Sequence, residues 1–162
     1  MSKLFELFKV GVLPSYGKGA INMSISWNDP SCKISKYFTV KEACWLPSWS
    51  KLYSPSDEEK ANILKMAIVM DEIRNLIGLP INTHCWIRPT SYNAAIGGAA
   101  HSMHLSGLAV DFDCGENCDI TRTKLIPLMK TLGIRIEDKP GSNWVHVDIK
   151  PVTSETQRFF KP

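Results

Sequence analysis

The chain has 162 residues, 44% of them hydrophobic and 22% charged, with a formal net charge of +3. Those proportions suit one globular domain, which at this length buries about 70% of its unfolded surface without covalent staples. No Lys/Arg run is dense enough for nucleic acid and no apolar run reaches membrane-spanning length, so nucleic-acid binding and membrane insertion are both set aside. The mild positive balance is compatible with a negatively charged polymer as partner.

Residues 1–35 read differently from the rest and are expected to form an extension packed on a domain spanning 36–162. Met1 to Leu13 carries Lys3, Glu6 and Lys9 among its apolar residues and lacks the uninterrupted apolar core and cleavage site of a secretory signal. Synthesis in the cytoplasm, with export by another route, is the expectation. Pro14, Gly17, Gly19 and Pro30 punctuate this stretch, and between them Ile21 to Trp27 alternates apolar and polar, which predicts a half-buried strand.

Two helix starts follow. Thr39 with Glu42, and Ser56 with Glu59, each place a capping hydroxyl three residues before a glutamate. The first opens a short helix through Cys44. The second opens the main helix, to about Ile77, with Ile63, Met66, Ala67, Met70, Ile73 and Ile77 on one face and Gly78 and Pro80 as the stop. Ile81 to Ile87 reads as a strand ended by Arg88-Pro89, and Thr90 to Ala95 as a helical turn before Gly97-Gly98. Leu108 to Asp113 is a strand with Leu108, Val110 and Phe112 on one face and Ala109, Asp111 and Asp113 on the other. Thr121 to Leu132 is a helix, bent or begun late because of Pro127, and Gly133 ends it. Ile134 to Ile136 and Trp144 to Ile149 are the last strands, the second turning Trp144, His146 and Asp148 away from Val145, Val147 and Ile149. The fold class is α+β: helices packed on one side of a small antiparallel sheet. Nothing suggests repeats or a second domain, and a monomer is expected.

The five cysteines, Cys32, Cys44, Cys85, Cys114 and Cys118, are odd in number and match no zinc-ribbon spacing. Reduced, mostly buried thiols are expected; a Cys114–Cys118 disulfide or metal clip is the alternative. None is flanked by a nucleophile motif, so a cysteine hydrolase has little support.

Two segments carry the chemistry. The first runs from Ser102 through His104 and Gly107 to Asp111; the second is Trp144-Val145-His146-Val147-Asp148. Asp111 and His146 each stand on the polar face of an apolar-backed strand, and the loop containing Gly107 lets His104 fold back towards them. Two imidazoles and a carboxylate make the ligand set of a catalytic zinc site, with the fourth position left for water. Histidine and aspartate also recur in surface loops by chance, so the spacing alone leaves both readings open.

The pattern Ser-x-His-x-x-Gly-x-Ala-x-Asp, followed by Trp-x-His-x-Asp, resembles the D-alanyl-D-alanine carboxypeptidase-like zinc peptidases. That group is related in fold to the vancomycin-resistance dipeptidases, phage L-alanyl-D-glutamate endolysins and the zinc domain of hedgehog proteins. Tyr37 to Glu42, the helix ending near Gly78, Arg88-Pro89 and Asn93 to Gly98 follow the family in the same order, over about residues 36 to 150. The resemblance implies one Zn²⁺ held by His104, Asp111 and His146, and hydrolysis of amide bonds in peptidoglycan stem peptides or muropeptides at the bacterial cell wall. It implies that Arg88 holds the substrate carboxylate or polarises the scissile carbonyl, a task for a fixed guanidinium fork; the other role for such an arginine is a surface ion pair. Ser102 then positions substrate or orients a ligand, and Asp148 either fixes an imidazole tautomer or is a solvated strand residue. His84 and His101 fall outside the ligand pattern and are expected to be loop or packing residues.

The chain departs from the family in two places. Many members carry an acid three residues before the last histidine, as general base; here that position is Asn143, which cannot take a proton. The nearest upstream acids are Glu137 and Asp138, and a hairpin through Lys139 to Ser142 would return Glu137 towards His146. Cys85-Trp86-Ile87 replaces the frequent Ser-Gly-Tyr before the arginine. The reading is a zinc carboxypeptidase or endopeptidase, such as a phage lysis enzyme released at the wall. The alternative, motivated by Asn143, is an inactive zinc-binding wall-binding or virion structural module.

Overall fold

The computed structural model describes residues 25–161. Both capping boxes form. Thr39 accepts from the Glu42 N–H while the Glu42 carboxylate accepts from the Thr39 N–H at 2.8 Å, opening α1 (Val40–Cys44). Ser56 and Glu59 repeat the exchange at α2 (Asp57–Ile77), where Asp57, Glu58 and Glu59 set negative charge at the positive end of the helix dipole. The expected face of α2 is buried from Ile63 to Ile73, with Ile77 half-buried near the end. Between the helices, β1 (Trp45–Leu46) and β2 (Lys51–Leu52) form a small hairpin, too short to show a period-two pattern.

The main sheet comprises β3 (Asn82–Cys85), β4 (Ala109–Asp113), β5 (Arg135–Glu137), β6 (Val145–Asp148) and β7 (Phe159–Phe160), in the spatial order β3-β4-β6-β5-β7. The first three pairings are antiparallel, but β7 joins β5 in parallel, so the sheet is mixed rather than purely antiparallel. The chain between the parallel partners β5 and β7 runs through β6, and residues 149–158 then carry it past β5 to the sheet edge, ending in a 3-10 turn (Glu155–Arg158).

Register decides what the sheet presents. Asp111 lies opposite His146, flanked by Val110 opposite Val147 and Phe112 opposite Val145. Alternation sends the four apolar residues, with Ile136 of β5, into the core beside Ile63, Met66, Met70 and Ile73 of α2. The same alternation turns Asp111, His146, Asp148, Arg135 and Glu137 to the opposite face.

Several elements differ from expectation. The strand before Arg88 shrinks to β3, with a register shift between Thr83 and Cys85, because Ile81, Trp86 and Ile87 bury themselves outside the ladder. The helix expected from Thr121 starts at Cys118, where Asn117 caps it through the Asp119 N–H. The helical turn expected at Thr90 to Ala95 forms as α3 (Thr90–Ala95), and Pro127, lacking a donor, breaks the later helix into α4 (Cys118–Leu125), a 3-10 turn (Ile126–Leu128) and α5 (Met129–Leu132). Of the strand expected at Ile21 to Trp27, residues 21–24 lie outside the described residues; Ile25 and Ser26 have no strand structure and Trp27 begins a turn. All five cysteines are free thiols, and no described helix is long and apolar enough to cross a membrane.

Candidate metal centre

His104 sits on a 3-10 turn (Met103–Ser106), started by Ser102, whose hydroxyl accepts from the His104 N–H. Gly107 ends the turn at φ 75°, and a Cβ there would stand 2.9 Å from Ile63 Cγ1, so the turn lies directly on α2. His104 is fully buried, with Nδ1 2.6 Å from the Trp86 carbonyl. A carbonyl only accepts, so Nδ1 carries the proton and Nε2 presents its lone pair to the cleft. The Trp86 indole N–H in turn donates to the Gly107 carbonyl at 3.1 Å, tying this anchor to the turn it supports.

Three donor groups converge. His104 Nε2 is 3.2 Å from Asp111 Oδ2, His146 Nδ1 is 2.7 Å from Asp111 Oδ1, and the two imidazole nitrogens are 3.3 Å apart. Tetrahedral zinc bonds of ~2.0–2.1 Å place neighbouring ligand atoms about 3.3 Å apart, so the donor set fits that ion in both chemistry and spacing. Behind His146, Nε2 donates to Asp148 Oδ2 at 3.4 Å, and Arg135 grips the same carboxylate with two hydrogen bonds of 2.8 and 2.7 Å. Both rings therefore have their second nitrogen engaged, the arrangement that fixes ligand tautomers.

The electrostatics follow from burial and pairing. Burial raises Asp111, but the two imidazoles outweigh it and hold its carboxyl well below the usual carboxylate range. Burial likewise raises Asp148, and bonds from His146, Arg135 and the Lys150 N–H bring it down to about 2. Burial depresses both histidines. It prevails at His104, which stays neutral; at His146 the hydrogen bonds and charges of Asp111 and Asp148 prevail and raise it to about 9.

A further group stands nearby. Cys85, the cross-strand partner of Asp111, brings its sulfur within 4.8 Å of donor atoms of His104 and Asp111. Burial pushes this thiol up to about 12. His146 approaches the same two groups at 3.3 and 2.7 Å, so His104 and Asp111 are shared by two candidate donor sets, and a thiol kept protonated by burial is the weaker third ligand.

These residues line a cleft of about 440 Å³. One flank carries Arg88, Ser102 and the 97–101 loop, with Arg88 Nη2 donating to Ser102 Oγ at 2.9 Å and Arg88 Nε buried without a partner. The other flank carries Glu137, Lys139, Trp144 and Phe160. Glu137 makes no side-chain hydrogen bond within the described residues. Asp138, one residue on, does not line the cleft, as strand alternation dictates. Asn143 lines a separate pocket with His84 and Asp113, where the His84 imidazole lies 2.5 Å from the Asp113 carboxylate.

Reading from the residues missed Cys85 as a neighbour of the ligands and Arg135, Lys139 and Phe160 as cleft residues. It also placed His101 in a loop, which is correct, without foreseeing that the loop borders the cleft. Arg135 was within reach of the strand pattern, since it shares a face with Glu137; Phe160 gave no signal. A comparison with family models matches one described as peptidase M15 over residues 36–148. No curated protein matches the chain.

Proposed function

Because the chain belongs to the peptidase M15 family, we propose that it is a zinc peptidase hydrolysing amide bonds within peptidoglycan stem peptides, with His104, Asp111 and His146 as the ligands of one ion. The convergence of those three donors at 2.7–3.3 Å carries the reading. A zinc ion bound there would supply Lewis acidity and a water acidified to near neutrality.

The chain's own groups divide the remaining work. Arg88, oriented by Ser102, lines the cleft with its guanidinium and donates to a substrate carboxylate or to the scissile carbonyl. Glu137, unpartnered in the cleft, takes a proton from the attacking water and returns it to the leaving amine, the task Asn143 cannot perform. Asp148 and Arg135 hold His146 from behind. Asp111 and His146 sit on β4 and β6 and His104 on the turn before β4, while the cleft continues past them over β5 to β7, which favours cleavage within a peptide over removal of a terminal residue. A net charge of +3 suits an anionic wall polymer, as for a phage or prophage lysis enzyme.

Mass spectrometry of digested muropeptides tests this. The zinc-loaded protein cuts within stems or cross-bridges, and Glu137→Gln loses at least about 100-fold in rate while keeping its zinc. Full zinc occupancy with no turnover on muropeptides or intact sacculi would instead establish the inactive zinc-binding module that Asn143 motivates.

A further inference from the structure

Building on that zinc site, we infer that Phe160, which lies beyond the family-matched segment, is a positioning residue for His146 and through it for the metal. The family match ends at residue 148, yet the chain returns as β7 to the free edge of β5. Glu137 pairs with Phe160 there, the Asp138 N–H donates to the Phe160 carbonyl at 2.6 Å, and Arg158 Nη1 donates to the Ile134 carbonyl at 3.2 Å.

That return delivers one aromatic ring to two groups of the site. The ring meets the His146 imidazole edge to face, with centroids 5.9 Å apart and planes at 84°. It also lies under the Arg135 guanidinium, 4.2 Å from its centroid. Arg135 holds Asp148 by both carboxylate oxygens, and Asp148 accepts from His146 Nε2. Phe160 therefore restrains the imidazole directly and also holds in place the clamp behind it. An aliphatic side chain offers neither the ring face that attracts a guanidinium nor the shape of the edge-to-face contact. Residues behind a metal ligand set its orientation, and their loss commonly costs about 10–100-fold in metal affinity.

The test is zinc titration by competition with a chromophoric chelator on the full chain, alongside thermal melting and kcat and KM on muropeptides. Phe160→Ala weakens zinc binding about tenfold and lowers kcat more than it raises KM, while Phe160→Tyr, which keeps the ring, stays within about twofold of the unmodified protein. If the alanine variant does not fold, Phe160→Leu, apolar but without a π face, carries the same expectation. An alanine or leucine variant that binds zinc as tightly as the unmodified protein overturns this inference alone. An unmodified protein that takes up no zinc overturns the metal site and this inference with it.

Discussion

In the proposed site zinc must compete with a proton for His146, and the structure sets the terms. Metal binding needs Nδ1 unprotonated, whereas without metal the Asp111 and Asp148 carboxylates raise this imidazole to about 9. His104 is held neutral by burial and Asp111 stays ionised, so neither contributes a proton near neutrality. Uptake of zinc therefore releases one proton, from His146. At pH 7 that displacement costs about 2.7 kcal/mol, a factor of about 100 in apparent affinity. The chelator-stripped protein, titrated with zinc from pH 6.5 to 9.5 with the competitor's own protonation subtracted, gains affinity about tenfold per pH unit and levels off above about pH 9. A flat profile would refute the reasoning, since His146 would then not be a protonated ligand; a slope of two would show that His104 also gives up a proton. The same proton stabilises the metal-free fold. The pKa is raised above its ordinary 6.5, so this stabilisation is fully present below pH 6.5 and is lost as pH rises through about 9. Its magnitude is roughly 3 kcal/mol, read by denaturant titration at the two ends of that window.

Other perturbations have definite outcomes. Cys85→Ser leaves zinc stoichiometry and affinity essentially unchanged, because in the proposed site His146 and not the thiol completes the ligand set; loss of zinc in this variant would reverse that assignment. Arg88→Lys loses the planar fork anchored on Ser102 and raises KM about tenfold on muropeptides, with zinc content intact; an unchanged KM would remove Arg88 from substrate binding. Gly107→Ala forces a left-handed φ on a residue whose new methyl meets Ile63. It destabilises the fold by about 2 kcal/mol in chemical denaturation, and a change under about 0.5 kcal/mol would show that the turn yields without strain.

Much of this was readable from the chain because two simple periodicities govern it. Hydroxyl-to-glutamate spacing marked both capped helices, and period-two alternation put Asp111 on the polar face of one strand and His146 and Asp148 on the polar face of another, which the β4–β6 pairing then turns to one side. What stayed hidden depends on pairing rather than pattern. β1, β2 and β7 have two residues each, too few to show a period. Phe160 enters the cleft only because a crossover returns it to β5, and Cys85 approaches the ligands only because a register shift in β3 sets it opposite Asp111. Asn143 looked like a loss within the site, yet the structure turns it into a different pocket.

The pairing of β4 with β6 ties folding quality to metal uptake. Slipping one strand past the other by a single position would break the match of valine to valine in the interior and of aspartate to histidine on the outer face together. A molecule with the wrong alignment could therefore neither bury its interior nor grip zinc. Stoichiometric metal uptake would then count correctly assembled molecules in any preparation, whether or not they turn over substrate.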